Sequence, residues 1–435
     1  MIRFSRYLQG LAVLIGLSLL VLISLPGFSI LGKNHVTIKF YYNNKTVSAR
    51  KNEKYGTGYV IDNWRRLTES QKSRMSTLGK WLLSPEGTNI SKSHDDPSKE
   101  YLILIWEHGP MLERRHLKHF TDETFSPWEN CSVKNCRLSY ESSDANKADA
   151  ILFHLHRTNS PDNFPKNLKF ENRIRQRWVF LTDESPYHTF LGGKQQLSNF
   201  NGLFNWSMSY RMDSDVPVPY GRTVIIKNGV ETARNIIDNL MKIKTKLVAI
   251  MGSNCSGKNH RWDYVRKLKE ILGEKLDIYG ACLGGDKVSC PGHFTKDCGR
   301  LGDYKFYLAF ENSNCREYLT EKPFWHGYHK HSIPIIMGAS RADCSRLLPP
   351  ASFIHIDDFA NPRTLADYLL YLDKAEDEYL KFHKWREAFK VLNEHGYFQS
   401  SSRHYCRLCE ALNYNEPSAK VYNNLEEFWS VKDCW

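Results

Sequence analysis

The sequence has no zinc-finger, helix-turn-helix or RNA-binding signature, and its 60 Lys and Arg, set against 48 Asp and Glu, are scattered rather than gathered into blocks. The net charge of +12 therefore gives little support to a nucleic-acid partner, which calls for a clustered basic face, and leaves an acidic membrane or a small anionic ligand. Cysteine is absent from the first 130 residues, and long uncharged runs are scarce, the main one being LQGLAVLIGLSLLVLISL at residues 8–25. What is abundant is core-forming material: 41% hydrophobic and 13% aromatic residues over 435 positions exclude a disordered chain and allow two or three domains.

At about 1.5 Å per helical residue, the run at 8–25 nearly spans a bilayer core of about 30 Å. Arg3 and Arg6 flank it, and no clear small-residue cleavage site follows, so we read an uncleaved signal anchor rather than a removed signal peptide. Residues 1–7 are then a cytoplasmic tail, and everything after Pro26 is luminal. Sequons at Asn44, Asn89, Asn130, Asn205 and Asn254 agree with a lumen, as do eleven cysteines that all lie beyond the anchor. Their odd number leaves at least one thiol free or paired between chains.

Residues 26–98 are polar and weakly periodic and read as a stem. Beyond it, continuous apolar runs recur: YLILIW (101–106), ADAILFHL (148–155), RWVFLT (177–182), KLVAIMG (246–252), KLDIYG (275–280), YKFYLAF (304–310), SIPIIMG (332–338) and SFIHI (352–356). Runs without alternation are strands buried on both faces, as in parallel sheets. Helical patterns at 228–244, 260–274 and 362–389 separate or follow them. The fold class predicted is α/β, two doubly wound Rossmann-like domains at 99–225 and 245–409, with a C-terminal tail at 410–435.

Two polar stretches fall at strand ends, where such folds bind ligands. MGSNCSGKNH (251–260) places Gly252, Gly257 and Lys258 in P-loop register, but Asn259 replaces the hydroxyl that ligates magnesium. FENSNCREYLTEK (310–322) follows the strand at 304–310. Arg261 at a helix start and Lys322 can converge on a diphosphate, Glu321 on a ribose, and Asn312 and Tyr318 on a sugar or base, which describes a nucleotide-sugar site. The blander reading is a surface ion-pair cluster of Glu311, Arg316, Glu317, Glu321 and Lys322.

FENSNCREYLTEKPFW (310–325), with SIPIIMG, LPPASFIHIDDF and LADYLLYLDKAEDEYLKFHKWRE, resembles the donor half of the GDP-fucose-dependent alpha-1,3-fucosyltransferases. CSVKNCRLSYESSDANKADAILFH, RWVFLTDESPYH and FNWSMSYRMDSDVPVPYG resemble the acceptor half, and the likeness covers roughly residues 101–409. The resemblance implies a GT-B arrangement and inverting transfer of L-fucose to GlcNAc of glycoprotein glycans, in a Golgi membrane protein of type II. It assigns Arg261, Asn312, Tyr318, Glu321 and Lys322, with Ser253 and Asn254 of the preceding loop, to the donor, and Glu184 to the base. SNC (253–255), IYGAC (278–282) and NSNC (312–315) look most like the invertebrate and plant branch acting on the innermost GlcNAc of N-glycans. Lewis-type transfer to LacNAc antennae is the alternative. From other classes come a catalytically inactive glycan-binding protein and a luminal sulfotransferase.

No DxD-like pair is placed to hold the diphosphate: Asp213 and Asp215 lie in the acceptor half, and Asp357 and Asp358 read as a helix cap. We expect no tightly bound cofactor, with Mn2+ or Mg2+ in at most a stimulatory role, and no dedicated metal site. Cys406 and Cys409 are one CxxC pair, more readily a structural disulfide than a metal or redox site. Cys131 and Cys136 are close enough to pair locally. Cys255, Cys282 and Cys315 are expected to brace the donor loops, with Cys290 and Cys298 closing an insertion. Asn254, as a donor-loop residue, is expected to be buried and unglycosylated, leaving Asn44, Asn89, Asn130 and Asn205 as glycosylation candidates.

Overall fold

A computed structural model describes residues 65, 67–84, 99–158, 160–165, 175–190, 195–291 and 297–435. The expected tail and anchor lie outside these, as do Asn44 and Asn89. Among the described residues no helix is long and apolar enough to cross a membrane.

Helix α1 (Thr77–Leu83) precedes β1 (Tyr101–Ile105), α2 (Gly109–His116), β2 (Cys136–Ser139), β3 (Ala150–His154), β4 (Arg177–Thr182), β5 (Trp206–Ser209) and β6 (Val216–Pro217). These six strands form one sheet in the order β2-β1-β3-β4-β5-β6, all parallel. After β7 (Gly221–Ile225) and α3 (Val230–Ile243) come β8 (Lys246–Met251), α4 (Arg261–Leu272), β9 (Leu276–Tyr279), β10 (Tyr304–Phe310), β11 (Ile333–Met337) and β12 (Ile354–His355). The second sheet, again parallel, runs β12-β11-β10-β8-β9. Helix α5 (Pro362–Lys374) is set by Pro362 at its first position and an Asn361–Thr364 capping box. It breaks at Ala375, and the pattern that continued to residue 389 ends in β13 (Phe389–Asn393), antiparallel to β7. The eight continuous apolar runs are thus eight parallel strands, and β1, β3, β4, β10 and β11 are buried throughout.

Three boundaries differ from expectation. Helix α1, inside the expected stem, packs Leu78, Leu82 and Leu83 into the core of the first sheet at 0–2% exposure. Each such leucine contributes about 1.5–3 kcal/mol, so the folded head begins well before residue 99. Residue 409 is likewise no domain end, because it lies within α6 (His404–Tyr414), whose Tyr405, Leu408, Cys409, Ala411 and Leu412 join that same core. The chain thereby returns to its first sheet after completing the second. Residues 410–435 are no tail either: Trp429 is fully buried with Nε1 donating to Thr189 Oγ1 at 2.9 Å, and Cys434 bonds to Cys315.

The disulfides pin these returns. Cys131–Cys406 and Cys136–Cys409 tie the β2 region to α6, so neither expected local pair, within 131–136 or within 406–409, forms. The helix presents both thiols on one face to Cys131 in the loop before β2 and to Cys136 at its start, which spacing alone does not reveal. Cys255–Cys282 braces the donor loops and Cys290–Cys298 closes the insertion, as expected, but Cys315, expected to join that bracing, pairs with the C-terminal Cys434; the odd thiol is Cys344, buried and pushed well above the usual range by that burial.

Candidate active site

In the second sheet the strand order reverses between β8 and β10, and the loops beyond their carboxyl ends wall a cavity of about 390 Å³. The β8 and β9 mouths meet closely: Gly252 N donates to Tyr279 O at 2.9 Å and Ala281 N to Gly252 O at 3.0 Å. Gly280 has φ +94°, and a Cβ there would sit 2.4 Å from the Gly252 carbonyl, so only glycine fits. The Cys255–Cys282 disulfide clamps the same two loops.

Arg261 opens α4 at 5% exposure. Its Nη1 donates to Phe310 O at 2.9 Å and its Nη2 to Asn254 O at 2.7 Å, while Nε is buried without a partner. The residue therefore braces both loops and keeps one donor in hand at the cavity wall. Lys322 is held similarly: its ammonium donates to Glu311 Oε2 at 2.8 Å, Thr320 Oγ1 at 2.7 Å and Glu321 Oε1 at 3.2 Å. Burial works against this cation, but Glu311 and Glu321 raise it above the usual lysine range. Burial also raises Glu311, against the pull of Lys322. Glu311, fully buried behind Lys322, is an organising residue that the sequence reading placed only in a surface cluster.

The first sheet reverses between β1 and β3, and its mouth opens on a second cavity, of about 310 Å³, lined by Arg114, Arg115, His154, His156 and Arg157 among others. Glu184, two residues past β4, lines both cavities. Its Oε2 accepts from Tyr318 Oη at 3.1 Å and from Asn312 Nδ2 at 3.3 Å. Asn312 and Tyr318, expected at the donor, thus line the larger cavity and also hold the expected base from across the cleft. Ser185 and Ser313 join the two mouths beside them, Oγ to Oγ at 2.8 Å.

The remaining expected site residues divide. Ser253 and Asn254 line the larger cavity with Glu321, but Asn254 is exposed, its Oδ1 turned back to accept from Ser256, against the expectation that it is buried. Lys258 is not among the lining residues; its ammonium lies 6.0 Å from the Tyr187 ring centre. The P-loop register thus places no lysine at this cavity. Asp213 pairs with Arg211 and Arg316, and Asp215 accepts from Ser207 and Tyr422, so both are spent on packing. Asn205 is no glycosylation site in this fold: it is fully buried, accepting from Trp178 N at 2.7 Å and donating to Gln176 O at 3.0 Å. Asn130 is exposed.

Two features escaped sequence reasoning. Tyr397, more than 200 positions from Glu184, lines both cavities, and Phe398 lines the larger one; no motif marks either residue. Behind Glu184, Asp183, His395 and His404 offer three ligand atoms within 4.8 Å of one another, the one such group among the described residues. Arg115 already donates to Asp183 at 2.6 Å, supplying the positive charge that this carboxylate requires. Burial keeps His154 and His188 below the usual histidine range, making each a weaker proton acceptor than an ordinary imidazole.

Family models match both halves: "Fucosyltransferase, N-terminal" over residues 98–221 and "Glycosyltransferase family 10 (fucosyltransferase) C-term" over 241–429. The Drosophila melanogaster glycoprotein 3-alpha-L-fucosyltransferase A is 33% identical over 69% of this chain, which spans 55% of that relative's length, little more than half. The rat alpha-(1,3)-fucosyltransferase 7 is 32% identical over 81% of this chain and 84% of its own. A crystal structure of an alpha1,3-fucosyltransferase aligns over 79% of this chain and 98% of that one, at 16% identity and a TM-score of 0.45. On the matches to both halves and the rat relative, the chain belongs to glycosyltransferase family 10, the fucosyltransferases.

Proposed function

We propose that this protein transfers L-fucose from GDP-fucose in alpha-1,3 linkage to GlcNAc of glycoprotein glycans, with the core GlcNAc of N-glycans as the preferred acceptor. The observation that carries this reading is Glu184, a carboxylate lining two adjoining cavities at the mouths of two parallel sheets. The larger cavity, at the switch point of the second sheet, has Arg261 and Lys322 at its wall and suits a nucleoside diphosphate; the other is the place for the acceptor.

In this mechanism Glu184 takes the proton of the acceptor hydroxyl as that oxygen attacks the anomeric carbon of fucose. The bond to the diphosphate breaks on the opposite face, inverting the centre. Negative charge grows on the leaving diphosphate, so Arg261 and Lys322 stabilise the transition state more than the ground state. Tyr318 and Asn312 fix the carboxylate that must meet the acceptor. No resident metal is proposed, and a divalent cation, where it stimulates, would screen charge on the diphosphate beside Arg261 and Lys322. The protein works in the Golgi lumen, anchored through residues 8–25.

Curated relatives carry names of both acceptor classes: the Drosophila glycoprotein enzyme, and the human 4-galactosyl-N-acetylglucosaminide 3-alpha-L-fucosyltransferase at 36% identity. The test offers GDP-fucose with a core N-glycopeptide and a LacNAc oligosaccharide side by side and follows product mass. Preferential fucosylation of the core is expected. Preference for LacNAc transfers the assignment to the Lewis class, and no product from either removes the proposal.

A further inference from the structure

We propose that Asp183 is the positioning residue of the reaction: a buried cage grips its carboxylate, and through it fixes Glu184 and the segment carrying Tyr397 and Phe398 in one geometry. The inference rests on the fucosyl transfer proposed above, with Glu184 as base.

Asp183 is 5% exposed and immediately precedes Glu184. Its Oδ2 accepts from Arg115 Nη1 at 2.6 Å, on α2 of the first half. Its Oδ1 lies 3.1 Å from His404 Nε2 and 3.4 Å from His395 Nε2, on the segment that returns from the second half. Its backbone carbonyl accepts from Tyr220 Oη at 3.0 Å, and the Tyr220 ring stacks on His395 with centroids 3.5 Å apart. Three stretches far apart in sequence therefore meet on one residue.

The hydrogen bonds run one way. A carboxylate only accepts, so His404 donates through Nε2, and its Nδ1 is left to accept from the Ser402 hydroxyl at 3.3 Å. Ser402 Oγ in turn accepts from His116 Nδ1 at 2.7 Å. Burial opposes charge on Asp183, but the Arg115 guanidinium, with His404 donating beside it, holds its carboxyl well below the usual range. The cage is thus a fixed carboxylate–guanidinium pair set among neutral imidazoles.

The returning segment needs such an anchor. Gly396, Phe398 and Gln399 have φ of +81°, +54° and +64°, and for the two that are not glycine this is strained backbone that persists only where its surroundings over-determine it. Arg115 supplies part of that determination: its Nε donates to His395 O at 3.1 Å and its guanidinium lies over the Tyr397 ring at 4.2 Å. Tyr397 borders both cavities. Loosening Asp183 therefore displaces the base and the shared wall together, while Arg261 and Lys322 keep their own bracing.

The test measures turnover, KM for GDP-fucose and GDP affinity in the full chain, as wild type, Asp183→Asn, His404→Gln and the double variant Asp183→Asn/Arg115→Gln. Misplacing a base by about 1 Å costs on the order of 100-fold, and that loss in kcat is expected for Asp183→Asn, with KM for GDP-fucose raised modestly by the shifted Tyr397–Phe398 wall and GDP affinity, set by the separately braced Arg261 and Lys322, within about threefold of wild type. The double variant should lose somewhat more kcat than the single one, because Arg115 also holds His395 O and the Tyr397 ring, and should keep the split between kcat and GDP affinity. His404→Gln, a milder lesion, should show the same split at about 10-fold and decides the matter if Asp183→Asn does not fold. Near-normal kcat in Asp183→Asn, or in His404→Gln where it decides, overturns the proposal. So does a kcat loss matched by an equal loss of GDP affinity, which describes general damage. A wild-type chain that binds GDP-fucose and transfers nothing overturns the underlying reading and this one with it.

Discussion

The two sheet mouths share a topology and differ in the sign of the group each brings to the proposed chemistry. Each sheet is doubly wound, with its order reversing beside its first strand, β1 in one and β8 in the other. At the first mouth the forward group is the carboxylate Glu184, and the buried cation behind it is Arg115, reached through Asp183. At the second the forward groups are Arg261 and Lys322, and the buried carboxylate behind is Glu311. Both mouths carry charges of both signs, with Arg114 and Arg157 also at the first and Glu321 at the second, but Glu184, Arg261 and Lys322 are each backed by an opposite charge from within, which limits the desolvation cost of keeping them there. The pairing also suits the proposed chemistry, since a base and a diphosphate clamp must face each other without neutralising one another.

The sharpest way to break this comparison is to remove the forward carboxylate. Glu184→Gln keeps the shape, and its amide oxygen still accepts from Tyr318, but it cannot take a proton. Turnover should fall by 100-fold or more, about the usual worth of a general base, while GDP affinity, measured by calorimetry, stays near wild type. Substantial residual turnover would return the search to His154 and His188.

Next in size is the second mouth. Lys322→Ala removes the forward cation and strands Glu311 in the core, so both GDP affinity and melting temperature should fall. A charge-assisted contact worth about 1.5–3 kcal/mol corresponds to roughly 10- to 100-fold in affinity. Arg261→Ala should lose a comparable factor, because it also frees the loop at Asn254. Lys258→Ala should change little. The reverse order, with Lys258 dominant, would restore the P-loop reading and undo the contrast between the mouths.

Much of this was legible in the sequence, for identifiable reasons. Parallel strands buried on both faces leave continuous apolar runs, so eight of them stood out, whereas β2, β5 and β6 are short and partly polar and did not. Arg261 and the loop after β10 were singled out because local motifs end strands at a cleft, and Glu184 through the resemblance; all of them line the cavities. The cage behind Glu184 was not, because Arg115, Asp183, His395 and His404 come from three distant stretches with no shared motif. The long-range cysteine partners were illegible for the same reason, whereas Cys290 and Cys298, 8 apart, could be read as closing one insertion. Asn205 shows the opposite error, since a three-residue sequon reports nothing about burial.

The smallest expected effect concerns pH, where the mouths again differ. The first mouth holds His116, His154, His395 and His404, each depressed mainly by burial, while the second cavity has His326, pushed down to about 3 by burial. A histidine whose folded pKa lies below its unfolded value of about 6.5 takes up its proton more readily when unfolded. Stability is therefore fully present above about pH 6.5 and is lost progressively as pH falls toward the folded pKa. Glu394, held down to about 2 by Arg222 and Arg407 against the opposing effect of burial, adds a further loss between about 4.5 and 2. Melting temperature should thus fall from pH 7 to pH 5, the five histidines outweighing the opposing gain from Glu317, raised to about 7 by burial, and from Glu311, also raised by burial. Four of these five histidines belong to the first mouth, so hydrogen exchange at pH 5 should rise more over residues 395–404 than over 311–322. A melting temperature that climbs on acidification, or exchange that rises first at the second mouth, would show that the imidazoles behind Glu184 are already charged at neutral pH.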